Sequence, residues 1–187
     1  MRPLTEEETK ILFLKLSEYI GTKNVELLVN RSDERHCFRI MNNGERVYYM
    51  NERLMKIAAS SIQRDHLLSV GTCFGKFNKK STKFRLHITA IEYLSQYAIY
   101  KVWIKTQNEM NFLYGNHITK NSLARMTDNT PQYAGVIVYS MNNDIPLGFG
   151  ITAQSSTYIQ NLDPTSNVVL HQADIGDYLR GLEDDIF

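Results

Sequence analysis

Gly135-Val136-Ile137-Val138-Tyr139-Ser140-Met141, then Asn142-Asn143-Asp144, then Ile145-Pro146-Leu147-Gly148-Phe149-Gly150-Ile151-Thr152, reads as two strands around a tight turn. β-Branched and aromatic residues fill the flanks, and Asn and Asp suit the turn because their short polar side chains tolerate its backbone geometry. Gly148-Phe149-Gly150 lacks the third glycine and the strand-to-helix setting of a dinucleotide fingerprint, so it reads as a bent barrel strand. Outward from this hairpin, Tyr100 to Lys105 and Asn167 to Leu170 are also strand-like. Helical signal is confined to a short stretch around Ser122 to Met126 and a last turn after Asp174. Many short strands with little helix predict a small β-barrel.

Upstream the texture is mixed. Thr5-Glu6-Glu7-Glu8 has the capping-box spacing, and Ile11, Leu12, Leu16, Tyr19 and Ile20 recur at helical intervals up to Gly21. Strand-like runs follow at Val25 to Val29, His36 to Met41 and Arg46 to Met50, the last two joined through Asn42-Asn43-Gly44. A helix from Asn51 carries Leu54, Ile57, Ala58 and Ile62, and Val70 to Phe77 with Lys83 to Ile88 forms a hairpin. Thr89-Ala90-Ile91-Glu92 repeats the capping box and opens a short helix to about Ala98. The expected fold is α+β: an N-terminal α/β domain with an antiparallel sheet and flanking helices over residues 1–95, and a pseudo-β-barrel over residues 96–187.

The 187 residues are 43% apolar, enough to fold. No run approaches the roughly 18 apolar residues of a membrane span, and the N-terminus has no apolar signal core, so a soluble, intracellular protein is expected. Cys37 and Cys73 form no C-x-x-C pair and read as small hydrophobes. The net charge of +1 conceals an asymmetry. Residues 1–93 carry 16 Lys/Arg against 11 Asp/Glu, whereas residues 94–187 carry 5 against 9. The excess lies in Lys76-Phe77-Asn78-Lys79-Lys80-Ser81-Thr82-Lys83-Phe84-Arg85, with five basic residues and no acid.

Catalytic and metal chemistry find little support. Gly71-Thr72-Cys73-Phe74-Gly75-Lys76 is one residue short of a phosphate loop and has Phe77 where Ser or Thr would bind magnesium, so its glycines read as relief for close neighbours. The five histidines are scattered, and adjacent His36 and Cys37 on a strand point to opposite faces. No nucleophile elbow is present. The expectation is no catalytic residue, no metal and no cofactor. The basic run differs, because closely spaced cations interleaved with Phe77 and Phe84 supply phosphate-directed charge and stacking faces. Lys76, Lys83 and Arg85 would flank one face of its hairpin, with Lys79 and Lys80 at the tip.

Phe112-Leu113-Tyr114-Gly115-Asn116-His117-Ile118, Ala134 to Tyr139 and Ile145 to Ile151 together resemble a PUA domain, a small RNA-binding pseudo-barrel. Read with Arg2 to Lys10, Gly75 to Phe77, Lys83 to Thr89, Lys101 to Lys105 and Gln172 to Arg180, the whole chain resembles the eukaryotic nuclear import protein seven family. That resemblance implies a non-catalytic RNA-binding assembly factor for pre-rRNA processing and large (60S) subunit biogenesis, acting in the nucleus and nucleolus. It further implies pre-60S assembly factors including a nucleolar rRNA methyltransferase as partners; single-stranded or looped pre-rRNA is the expected ligand, because its splayed bases offer stacking and edge contacts that a duplex hides, and a monomer is expected outside the pre-ribosome. Gly115, Asn116 and Lys120 would contact RNA near the PUA groove, with Arg125 on the following short helix. One departure is Gln154-Ser155-Ser156-Thr157-Tyr158-Ile159-Gln160-Asn161, uncharged where PUA domains often carry basic residues. The alternative is a protein-interaction adaptor with incidental RNA affinity, docking through an exposed patch of Ile151, Tyr158 and Ile159. An RNA-modifying enzyme would need a cofactor loop or cleft carboxylate that the sequence does not show.

Overall fold

A computed structural model describes residues 1–31, 34–41, 45–63, 66–67, 69–78 and 83–185, with side chains to Gly181. The chain divides into two units, Met1–Ala90 and Ile91–Phe187.

In the first unit, β1 (Arg2–Pro3), β2 (His36–Ile40), β3 (Arg46–Asn51), β4 (Thr72–Phe77) and β5 (Phe84–Leu86) form an antiparallel sheet in chain order. Helix α1 (Glu6–Val29) opens on the expected capping box, with the Thr5 hydroxyl accepting from the Glu8 amide and the Glu8 carboxylate accepting from the Thr5 amide. Gly21 does not end it. With φ +76°, Gly21 kinks the helix, and the segment expected as a strand from Val25 to Val29 continues it, burying Val25 and Leu28 one turn apart. α1 packs on one sheet face, where Phe38, Tyr49 and Phe74 lie within 5.3 Å of one another and the Tyr49 hydroxyl bonds the Leu28 carbonyl at 2.5 Å. Cys37, Tyr48 and Met50 cluster on the other face with Met55 of α2 (Glu52–Ser61) and Cys73. His36 stacks on Tyr49 while Cys37 joins this second cluster, so the two point to opposite faces as strand alternation requires. Of the apolar residues on α2, only Ala58 is buried; Leu54 and Ile57 are exposed, as is Ile62, which follows the helix in extended conformation. The Asn42-Asn43-Gly44 turn lies outside the described residues.

The second unit begins with α3 (Ile91–Gln96). Thr89 sits in the 3-10 turn before it and its hydroxyl donates to the Cys73 carbonyl, so it does not act as the expected cap. β6 (Lys101–Ile104), β7 (Ile118–Thr119), β8 (Leu123–Met126), β9 (Gly135–Ser140), β10 (Pro146–Thr152) and β11 (Asn167–Asp174) make a six-stranded sheet in the order β7-β11-β10-β9-β6-β8. All pairings are antiparallel except β6 with β9. It curls around Val102, Ile104, Phe112, Val136, Val138 and Val168 as a pseudo-barrel, which helices α4 (Glu109–Leu113) and α5 (Ile175–Asp185) complete. β10 shifts register at Phe149/Gly150, and a Cβ at Gly148 would stand 2.4 Å from the Ala173 carbonyl oxygen, so this is the bent strand its glycines suggest. Leu123–Met126 is a strand and not a helix, because the backbone of Arg125 and Met126 pairs with Trp103 and Val102. Residues 109–113, with no helical signal read in them, form α4.

Candidate nucleic-acid interface

The basic run forms a hairpin whose register sorts its side chains. Phe77 pairs with Phe84 and their rings lie 5.1 Å apart; Phe84 is buried and Phe77 half-buried, so Phe84 serves the domain interior and offers no open stacking face. Lys76 pairs with Arg85, placing both exposed cations on the opposite face, and Lys83, exposed immediately before β5, is two residues from Arg85. β3 continues the row, because Arg46 pairs with Lys76 on the other side. Arg46, Lys76 and Arg85 therefore line up across three strands. Like charges directly opposite repel, an arrangement that a bound polyanion relieves. No carboxylate among the described residues pairs with Lys76, Lys83 or Arg85. Lys79 and Lys80 lie outside the described residues. Arg46 escaped the sequence reading because it sits 30 residues from Lys76 and only strand register joins them.

In the second unit the four expected RNA contacts separate. Gly115, at φ +87°, ends α4 by sending its amide to the Phe112 carbonyl, and a Cβ there would meet nothing within 4 Å. Asn116 follows, exposed, and donates through Nδ2 to the Asn111 carbonyl at 3.1 Å. It lines a depression of about 580 Å³ with Asn108, Asn111, His117, Asn121 and Asn167. This lining is amide-rich and carries no Lys, Arg, Asp or Glu. Asn108 Oδ1 is buried without a hydrogen-bond partner among the described residues. Such a surface fits base edges better than phosphates. Lys120 is not part of it, since its Nζ donates to the Gln160 and Leu162 carbonyls at 2.8 and 2.5 Å. Arg125 lies on β8, not on a helix, with its guanidinium carbon 3.8 Å from the Trp103 ring centroid.

The residues expected for the adaptor reading do not form a patch: Tyr158 is exposed, Ile151 half-buried and Ile159 buried. In the uncharged loop Ser156 exchanges two bonds with Thr130 and Ser155 meets Thr157.

Sequence spacing did not reveal the cluster of His171, Asp174 and Asp177, whose ligand-type atoms lie within 4.8 Å of one another. Asp174 is fully buried. It precedes α5 as a cap, accepting the Asp177 amide at 3.0 Å, and bonds His171 Nε2 at 2.6 Å. The Arg180 guanidinium binds Asp177 at 2.7 Å and Asp174 at 3.3 Å, and these bonds hold its pKa above the ordinary value. Arg180 thus pairs with both carboxylates at the start of α5.

A helix-and-sheet domain followed by a PUA pseudo-barrel defines a two-domain PUA protein. Residues 1–88 match the NIP7/UPF0113 pre-PUA domain and residues 100–183 the UPF0113 PUA domain. The chain is 56% identical over 187 residues, all of both chains, to the 60S ribosome subunit biogenesis protein nip7 of Schizosaccharomyces pombe. It is 58% identical over 180 residues to the NIP7 homolog of Xenopus tropicalis, covering 96% of this chain and 97% of that one. The chain belongs to the NIP7 family. Among solved structures, a PUA domain protein of Aeropyrum pernix in a tartrate complex has a TM-score of 0.61 at 12% identity, over 98% of this chain and 90% of that one. A hypothetical protein of Pyrococcus horikoshii has a TM-score of 0.57 at 14% identity, over 95% and 98%. These two share the fold.

Proposed function

We propose that this protein is a non-catalytic RNA-binding assembly factor of large ribosomal subunit biogenesis. Likeness over the full chain to proteins named for 60S subunit biogenesis supports the role. The observation that carries the RNA contact is the cation row Arg46, Lys76 and Arg85, extended by Lys83, on one face of the N-terminal sheet. This row grips the RNA backbone, and the amide-rich depression around Asn116 reads base edges. Single-stranded or looped pre-rRNA is the ligand, since splayed bases reach such a depression and those of a duplex do not. The protein acts as a monomer until it joins pre-60S particles in the nucleus and nucleolus, beside other assembly factors including an rRNA methyltransferase.

The test is the salt dependence of single-stranded RNA binding. Replacing Lys76, Lys83 and Arg85 together with Ala weakens binding and flattens the log-log salt slope by about 0.7 per lost phosphate contact. An unchanged affinity and slope in that variant overturns the reading.

A further inference from the structure

Trp103 is the only tryptophan of the chain, and it does not point inward. Its β6 neighbours Val102 and Ile104 are buried in the barrel core, so Lys101 and Trp103 face outward. Register sets the side chains of three strands in line: Arg125 of β8 pairs with Trp103, and Trp103 pairs with Tyr139 of β9. The two rings stack at 5.8 Å and 27°, the guanidinium carbon of Arg125 lies 3.8 Å from the indole centroid, and Lys101 Nζ stands 5.6 Å from the Tyr139 centroid. Asp144, held at φ +51° in the β9–β10 turn, accepts the indole N–H at 2.6 Å and fixes the ring. Tyr139 is nearly buried and its hydroxyl donates to the Ser95 carbonyl. The result is a continuous row of contacts: cation, indole, phenol, cation.

The open end of this row is Arg125. β8 is the edge strand of its sheet, so among the described residues no further strand pairs beyond Arg125. Arg125 is exposed and pairs with no carboxylate among the described residues, and the Asp144 carboxylate is already engaged by the indole. A guanidinium in contact with an aromatic ring keeps a planar face for stacking and an N–H edge for phosphate, and has less side-chain freedom to lose on binding than an unsupported one.

We propose that the outer face of β8–β6–β9 is a stacking site for single-stranded RNA, in which a base lies on the free face of Arg125 while the Arg125 edge and Lys101 take phosphates. An acidic peptide would use the N–H edge and leave the planar face idle, whereas RNA uses both. The inference rests on the RNA-binding reading above and involves residues other than the hairpin row and the amide depression.

Because Trp103 is the sole tryptophan, its emission reports on this face alone. The intact protein is titrated at low salt with a short fluorescein-labelled oligouridylate, following RNA anisotropy and Trp103 emission together. Both change with the same midpoint, and Arg125→Ala lowers affinity roughly fivefold or more, as expected for the loss of one stacked base. Arg125→Lys, which keeps the charge and loses the plane, restores only part of it. A thermal melt close to that of the unsubstituted protein shows that each variant folds. RNA binding with Trp103 emission unmoved and Arg125→Ala neutral overturns this site and leaves the RNA-binding reading standing. Absence of any RNA binding overturns both. Capture of an acidic peptide with a Trp103 response, while RNA leaves Trp103 silent, overturns the site in favour of a protein partner.

Discussion

Lys120 donates its ammonium to the Leu162 carbonyl oxygen at 2.5 Å and to that of Gln160 at 2.8 Å, tying the β7–β8 turn to the loop before β11. A lysine next to the PUA motif therefore acts as a strut. Removing it leaves two carbonyls without their charged donor. Lys120→Met is expected to cost about 1–3 kcal/mol in urea denaturation, while RNA affinity measured well below the melting transition stays within about twofold. A large affinity loss without a stability loss would return Lys120 to the RNA contacts.

The start of α5 makes a sharper contrast. Asp174 accepts the Asp177 amide, its own amide reaches Asp177 Oδ2 at 3.3 Å, and it bonds His171 and Arg180 while fully buried. Asp174→Ala removes the cap and the centre of the ion-paired group together, an expected loss of about 3 kcal/mol. Asp174→Asn retains the cap oxygen and is expected to lose less. Arg180→Met, at an exposed position, is expected to lose least. Chemical denaturation of the three variants gives the order, and equal losses for Asn and Ala would show that the cap contributes nothing.

The sequence was most legible where local chemistry decides conformation. The Thr5/Glu8 capping box, the barrel hairpin around Asn142 to Asp144 and the glycine-relieved β10 strand all formed as their residues suggest. It was least legible where distant partners decide. Leu123 and Met126 have helical spacing, yet Ile104 and Val102 recruit them into a sheet. Gly21 carries a stop signal, yet helix resumes because Val25 and Leu28 have a core to enter. The candidate site divides in the same way. Its charge run could be read directly, but Arg46 and Trp103 gained their neighbours only through strand register, a long-range property no local window contains.

Gly75 joins the fold to the site. A Cβ there would lie 2.1 Å from the Arg85 carbonyl oxygen and 2.5 Å from the Phe84 ring, so only glycine lets β4 approach β5 this closely. Gly75→Ala should push the two strands apart at the pair that presents Lys76 and Arg85. The expected result is a loss of about 2 kcal/mol or more in stability, by the overpacking mechanism, together with a weaker RNA complex. Faster amide exchange confined to β4 and β5 would place the damage there, and wild-type exchange in those strands would refute the argument.

Arg2 grips Glu8 with two bonds, Nη2 to Oε1 at 2.6 Å and Nη1 to Oε2 at 2.8 Å, and Glu8 also accepts the Thr5 amide. These bonds, Arg2 first, pull the Glu8 carboxyl down to about 2. Because the folded value is depressed, the ionised form stabilises the fold, and the contribution is complete above the ordinary carboxylate pKa of about 4.3. It fades as the pH falls from there toward 2. Arg2 is nearly half exposed, so solvent screening reduces the effect to about 1 kcal/mol. Glu8→Gln should therefore be less stable than the unsubstituted protein in urea at neutral pH, and the difference should narrow steadily below pH ~4. A gap that stays constant from neutral pH to pH ~3 would show that the pair contributes through packing and not through charge.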